Sequence, residues 1–200
     1  VAEPDPIILE WVEATKQGDQ DAFAELVYTF QDPVYNLCYR MLGESGEAED
    51  ATQEAFLRAY LNITRYDTQR SFKTWVMSIA SNHCIDRIRK RRMHYVSLDD
   101  EPTAAALALS SKDPLPEQAT LQNERSELFQ DLLLQLDADY RVAVILRYWY
   151  DYSYAEIAET MNTTESAIKS RLFRARKSLA EIIGDTDDDD GLTNPQLKGN

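Results

Sequence analysis

Apolar residues recur at intervals of three and four along most of this chain, and the alternation expected of strands is poor throughout. Such a chain can bury its apolar stripes only by packing helix on helix. The first stripe is Ile8, Leu9 and Val12 over residues 6–16. The second, over 20–42, is Phe23, Leu26, Val27, Phe30, Val34, Leu37, Tyr39 and Leu42. Pro33 interrupts this second run, which predicts either a kinked helix or two helices. Gly43 and Gly46 mark a turn, and a third helix is predicted over 47–63 (Ala51, Ala55, Phe56, Ala59, Tyr60, Ile63). The polar stretch Thr64–Ser71 leads into a long helix from Phe72 to Met93, whose buried stripe is predicted to be Phe72, Trp75, Val76, Ile79 and His83, with Lys73, Met77, Ser78 and Ser81 facing away.

Residues 94–125 break the pattern. Asp99-Asp100-Glu101-Pro102, the small residues Thr103–Ala108, Pro114 and Pro116 offer no stripe to bury. An acidic, extended linker is expected there, too long for a passive loop inside one compact domain. Helical periodicity then resumes over 126–136, 138–150, 153–161 and 164–183. The tail from Gly184 carries Asp185 and Asp187–Asp190 and is expected to be disordered. The predicted architecture is all-α: a partly helical segment 1–20, a helical domain 21–93, the linker 94–125, a helical domain 126–183 and the tail 184–200.

Charge narrows the function. The net charge is −14, yet ten of the 21 Lys and Arg residues lie in two short blocks, Arg87, Arg89, Lys90, Arg91, Arg92 and Lys169, Arg171, Arg174, Arg176, Lys177. Cations confined to two helices of an acidic chain can meet phosphates only there, while the remaining surface repels nucleic acid. Two separate DNA contacts are expected, with a partner that brings the acidic chain to its template. The sequence shows no leader and no run of about 18 apolar residues, so the expectation is a cytoplasmic chain with no direct membrane insertion. Cys38 and Cys84 lack CxxC spacing and read as reduced, buried thiols, with a redox-sensing pair as the alternative. His83 and His94 have no ligand cluster near them, and neither a metal nor a cofactor is expected.

The second block lies on the longer helix of a helix-turn-helix pattern. Ser153-Tyr154-Ala155-Glu156 spells a capping box, a short helix with Ile157, Ala158 and Met161 inward follows, and Asn162-Thr163-Thr164 turns into the next helix. On that helix Ile168, Leu172, Ala175 and Leu179 fall within about 60° of one another. Ser166, Lys169, Ser170, Phe173, Arg174 and Lys177 lie opposite. An aromatic such as Phe173 among cations is free to touch a thymine methyl or a sugar. The first block follows a helix with an exposed amide, Asn82, and a preceding loop with Tyr66. That combination suits single-stranded DNA, with aromatics and amides receiving unstacked bases. Trp75 is either core or a stacking platform.

Three stretches carry a family resemblance. Ala48-Glu49-Asp50-Ala51-Thr52-Gln53-Glu54-Ala55-Phe56-Leu57-Arg58-Ala59-Tyr60 resembles region 2.2 of bacterial sigma factors. Phe72-Lys73-Thr74-Trp75-Val76, Ile79-Ala80-Ser81-Asn82 and Asp86-Arg87 resemble regions 2.3–2.4. Ser153–Ala158 with Ala167–Arg176 resembles region 4.2. The linker leaves no room for a region 3 domain, nor the N-terminus for region 1.1, so the resemblance is to the extracytoplasmic-function (ECF, group 4) sigma factors. The chain departs from the pattern at Tyr152, where Gly is common, and in the turn Asn162-Thr163-Thr164.

The resemblance implies a sigma-2 bundle and a sigma-4 helix-turn-helix domain, core RNA polymerase and promoter DNA as partners, and control by an anti-sigma factor that could hold the protein at the membrane. Asp50, Gln53 and Glu54 match positions that contact the clamp of the largest subunit. Exposed apolar positions among Leu128–Val144 would meet the flap of the second-largest subunit. Ser166, Lys169, Ser170, Arg171, Phe173, Arg174 and Lys177 would read the −35 element. Asn62, Tyr66, Lys73, Met77 and Asn82 would serve the −10 element, with Arg87, Arg89, Lys90, Arg91 and Arg92 on its phosphates. The linker would thread the polymerase cleft. No catalytic set is implied, so this would be an initiation subunit and not an enzyme. A helix-turn-helix repressor of another class leaves the Asp50–Phe56 and Phe72–Arg92 motifs unexplained. A small nucleic-acid enzyme would need carboxylates or metal ligands that are not found.

Overall fold

A computed structural model describes residues 5–96 and 122–189. Among these, every regular element is helical. Four helices form the first unit: α1 (Pro6–Lys16), α2 (Gln20–Leu42), α3 (Ser45–Asn62) and α4 (Phe72–Val96), with a 3₁₀ turn at Ile63–Arg65 between the last two. Four more form the second: α5 (Gln122–Gln135), α6 (Ala138–Trp149), α7 (Tyr154–Thr160) and α8 (Glu165–Asp189).

Caps set the boundaries. Asp5 and Asp19 accept from the first free amides of α1 and α2, and Glu44 does the same for α3. Gly43 ends α2 in the left-handed region at φ 82°, and a Cβ there would stand 2.6 Å from Leu134 of α5. Glycine is required twice at that position, for conformation and for close approach. α2 runs through Pro33 as a single helix, which settles the alternative left by the sequence. Two boundaries expected from sequence move. α4 extends to Val96 and α5 starts at Gln122; the rest of the expected linker, residues 97–121, lies outside the described residues. α8 continues to Asp189 where disorder was expected from Gly184; once a helix is nucleated, each further residue adds a backbone hydrogen bond at little cost. Residues 190–200 lie outside the described residues.

In the first unit α2 packs on α1, α3 and α4; in the second, α6 and α7 pack on α8. The two units share one continuous core, because α4 also packs on α6 and α7, and α2 on α5 and α6. The seam is polar at its centre. Arg141, 5% exposed, donates to the carbonyls of Met41, Leu134 (2.6 Å) and Leu136 (3.0 Å). Gln130 reaches the Tyr39 and Arg40 carbonyls at 3.2 and 3.3 Å. These side chains satisfy carbonyls at the C-terminal ends of α2 and α5, where a positive charge also meets the negative end of each helix dipole. Burial lowers the Arg141 pKa to about 10, still far above neutral, so it stays charged. Tyr150 donates to the Pro33 carbonyl at 2.6 Å, and the Arg40 guanidinium lies 4.5 Å from the Trp149 ring centroid.

Candidate nucleic-acid interface

The short helix α7 opens with the predicted capping box. Ser153 Oγ accepts from the Glu156 amide at 3.2 Å, and Glu156 Oε2 accepts from the Ser153 amide at 2.8 Å. These bonds hold the Glu156 carboxyl below its usual range. The two departures in the sequence have a backbone consequence. Asp151 and Asn162 both adopt positive φ, 52° and 48°, at the entry and exit of α7. Asp and Asn tolerate this region better than most residues. With Asp151 making the turn, Tyr152 is free to be a large residue and is buried, with Thr74 beside its hydroxyl. Thr164 then caps α8 through the Ala167 amide at 3.2 Å.

α8 buries Ile168, Leu172 and Ala175 and leaves Ser166, Lys169, Ser170, Phe173, Arg174 and Lys177 exposed. Phe173 is 63% exposed. Lys169 Nζ lies 5.9 Å from the Tyr154 ring centroid, and Lys177 pairs with Glu181 at 3.6 Å, one turn on. Arg171 does not belong to this face. It is half-buried, turned toward Asp139 (3.7 Å) and the Met161 sulfur.

α4 differs from its sequence reading. The buried residues are Phe72, Thr74, Val76, Met77, Ala80, Ser81, Cys84 and Ile85, while Trp75, Ile79 and His83 are only partly buried. Met77 and Ser81 were expected to face away from the core, and they are 0% and 1% exposed. The cause is tertiary. α4 is covered on two sides, by α2 and α3 of its own unit and by α6 and α7 of the other. Thr74, Ser81, Ile85 and Arg92 fall within about 40° on the helix, with Met77 and Ile88 beside them. Thr74 meets Tyr152 and Arg92 meets Asp137 of the second unit, so this is the face turned toward that unit.

Tyr66 is corrected too. It is 4% exposed, its hydroxyl donates to the Arg70 carbonyl, and its ring packs on Phe72 and Trp75; burial pushes its pKa up to about 12. A loop tyrosine looks available in sequence, but here an aromatic cluster with Phe72 claims it. Asn62 donates to the Arg58 carbonyl at 2.8 Å at the end of α3, and Asn82 is exposed. Lys73 Nζ stands 5.6 and 5.9 Å from the Tyr150 and Tyr152 rings.

The arginine block splits around the helix. Arg91 pairs with Glu47 of α3, and Arg87 approaches the same carboxylate at 4.0 Å. Arg89 pairs with Asp139 at 2.7 Å and Arg92 with Asp137 at 3.2 Å, both acids belonging to the second unit. Lys90 is exposed. Arg87, which shares Glu47 with Arg91, also lines an open hollow of about 510 Å³ between α3 and α4, with Asp50, Gln53, Glu54, Leu57 and His83. Glu54 is held by Arg58 at 2.6 Å, which lowers its pKa. Burial and then the Arg58 charge lower that of His83, whose Nε2 is buried without a hydrogen-bond partner. Leu57 and Leu61 continue the edge of α3, 52% and 69% exposed.

The sequence reading missed Leu57, Leu61 and His83 around this hollow, and it missed Arg141. For Arg141 a signal existed: it falls on the apolar stripe of Ala138, Val142 and Ile145, where an arginine must find partners. On α5, Leu128 and Phe129 are 60% and 58% exposed, at the start of the span expected to meet a partner. Cys38 and Cys84 are buried free thiols in contact with each other, and the hydrogen bond to Cys38, then burial, raises the Cys84 pKa. Among the described residues there is no cluster of His, Cys, Asp or Glu able to hold a metal ion, and no helix long and apolar enough to cross a membrane.

Residues 26–93 match the family model Sigma-70 region 2, and residues 126–179 match Sigma-70, region 4. The ECF RNA polymerase sigma factor SigW of Bacillus subtilis is 40% identical over 183 residues, covering 90% of this chain and 98% of that protein. The chain belongs to the ECF RNA polymerase sigma factors. The RNA polymerase sigma-H factor of Pseudomonas aeruginosa is 31% identical, covering 86% of this chain and 91% of that one. Two solved sigma factor structures share the fold. One is RpoE in complex with the anti-sigma factor NepR from Bartonella quintana (TM-score 0.63, 24% identity, 81% of this chain and 96% of that one). The other is CnrH in complex with the cytosolic domain of CnrY (TM-score 0.62, 20% identity, 89% and 97%). As a sigma factor, the chain acts in transcription initiation. Its two matched regions lie one in each helical unit, the first within α2–α4 and the second within α5–α8.

Proposed function

We propose that this sigma factor belongs to group 4 and works as a two-point promoter reader carried by core RNA polymerase. The exposed face of α8 carries the reading. Lys169, Ser170, Phe173 and Arg174 stand outward from a helix whose other side is locked into the core, on a helix-turn-helix held by two caps. That face is suited to base edges and phosphates of a −35 duplex in the major groove. Asp50, Gln53 and Glu54, with Leu57 and His83, form the clamp contact: carboxylates and an amide around a hollow, beside an exposed leucine edge. Leu128 and Phe129 are the flap contact. Asn62, Asn82, Lys73 and the cations Arg89–Arg92 serve the −10 strand, with Met77 joining once the face of α4 is uncovered. Tyr66 supports that site from beneath, by packing. Residues 97–121 link the two readers through the polymerase cleft.

The protein adds no bond-making group of its own; binding energy drives melting and the polymerase performs catalysis. Control by an anti-sigma factor in the cytoplasm is inferred from the family and from the two structural neighbours, both solved with such partners. Run-off transcription with core polymerase is the test, on DNA enriched by the protein–polymerase complex. Promoter-dependent initiation is expected, lost in Arg174→Ala with polymerase affinity intact. Absence of initiation, or equal loss of polymerase and promoter affinity in that variant, overturns the reading; tight duplex binding by the chain alone as a dimer would favour a repressor.

A further inference from the structure

We infer that Cys38 and Cys84 are a modification site: a dithiol beneath the Asp50 hollow that hydrogen peroxide closes to a disulfide, weakening the polymerase contact until a thiol reductant reopens it. The inference rests on the proposed clamp role of that hollow and adds a redox control to it. The sequence holds two cysteines, so an internal disulfide has one possible pairing. The fold brings them together from α2 and α4, two helices that pack on one another. Both thiols are free, 0% exposed and in contact. None of the DNA or polymerase contacts proposed above uses either sulfur.

The two sulfurs are not equivalent. The Cys84 S–H donates to Cys38, which lowers the Cys38 pKa against the opposing effect of burial and raises that of Cys84. The Arg87 charge further favours a thiolate there. Cys38 is therefore the nucleophile and Cys84 the resolving thiol. Peroxide is small and neutral, and local opening of the core admits it where larger reagents are kept out. The Cys38 thiolate attacks one peroxide oxygen, the O–O bond breaks, and the departing hydroxide takes up a proton as water. The Cys84 sulfur then displaces the remaining hydroxyl from the Cys38 sulfenic acid, and its proton leaves with that oxygen as a second water. Two thiols and one peroxide give one disulfide and two waters, with two electrons passing from sulfur to oxygen.

The place of the pair couples it to the hollow. Thr52, beside Cys38, lies between Asp50 and Gln53 on α3, while His83 adjoins Cys84 and Arg87 follows within one turn of α4. Sulfurs in van der Waals contact must close to about 2.05 Å, which draws α2 and α4 together. A close-packed interior passes such a shift to its neighbours. The spacing of Asp50 and Glu54 on α3 from His83 and Arg87 on α4 then changes, and with it the fit to polymerase. The exposed face of α8 belongs to the other unit and is left as it was.

The test uses the full chain, treated with hydrogen peroxide and freed of it before core polymerase is added. Peptide mapping is expected to find Cys38 linked to Cys84 within one chain. The oxidised protein should bind core polymerase about tenfold more weakly than the reduced protein, with duplex binding through α8 unchanged. Dithiothreitol should restore the affinity, which it could not do after methionine oxidation. Cys84→Ala and Cys38→Ala, two separate variants, should each bind polymerase equally before and after peroxide. Thiols that stay free or pass to sulfonic acids, equal polymerase affinity of linked and reduced protein, or the same loss in either Ala variant overturns the switch. The proposed function is tested apart from it, by run-off transcription with the reduced chain, which needs no disulfide.

Discussion

The two cation-bearing helices meet solvent in opposite ways. α8 buries one stripe and turns the other outward, so Lys169, Phe173 and Arg174 stand free. α4 is packed on two sides, and its arginines are shared between Glu47 of its own unit and Asp137 and Asp139 of the other. Similar charge on similar helices gives an open surface in one case and a covered one in the other. The difference lies in the number of neighbours. A helix at the edge of its unit needs one apolar stripe, whereas a helix at a seam needs two, and the second is taken from the face that function would use.

The largest effect that would break this comparison comes from Arg141. Arg141→Ala leaves three carbonyls at helix ends without their charged donor, at about 3 kcal/mol or more for hydrogen bonds to a charged group. Chemical denaturation should show that loss, together with an expanded chain by small-angle scattering; a stable, equally compact variant would mean that the seam is held elsewhere. Next comes the open face. Arg174→Ala should cost about 2 kcal/mol of −35 duplex affinity where a base edge is read, whereas Asn82→Ala should leave −35 binding unchanged and slow open-complex formation in a way that depends on one −10 base. Indifference to that base would make Asn82 structural.

Ser153→Ala, which removes the cap of α7, the short helix packed against the recognition helix, should cost about 1 kcal/mol by thermal or chemical unfolding. The same cap gives a pH signature. Glu156 has its pKa lowered in the folded state by the Ser153 amide and hydroxyl. Its contribution is therefore complete above the ordinary carboxylate value of 4.5 and disappears as pH falls through the lower folded value. Glu156→Gln should flatten that part of the stability–pH curve. The smallest effect is expected at Phe173. Exposed as it is, Phe173→Ala should change stability by less than about 0.5 kcal/mol while still weakening −35 binding in a mobility-shift titration.

Local patterns carried much of the fold. Seven of the eight α-helices among the described residues were anticipated within a few residues of both ends, because amphipathic periodicity and signals such as the Ser153 capping box and the Gly43 turn are short-range features. The exception is α8, whose extension through Gly184 to Asp189 had no apolar stripe to announce it. The outward face of α8 was legible for a similar reason: one stripe in, one stripe out. α4 was not. Its predicted stripe of Phe72, Trp75, Val76, Ile79 and His83 is displaced around the helix, since the actual core includes Met77, Ala80, Ser81 and Cys84.

By itself, then, the sequence determined the all-helical class, the helix-turn-helix with its capping box, the concentration of cations on two helices and the resemblance to one family. Each of these is written in neighbours along the chain or in spacing around a single helix. Tertiary structure alone decided which face of α4 is hidden, that Tyr66 is core, that Arg87 turns to the Asp50 hollow, and that Arg141 pins one unit to the other. Those outcomes depend on contacts between residues as distant in sequence as Met41 and Arg141, and periodicity within one helix carries no information about which second helix will cover it.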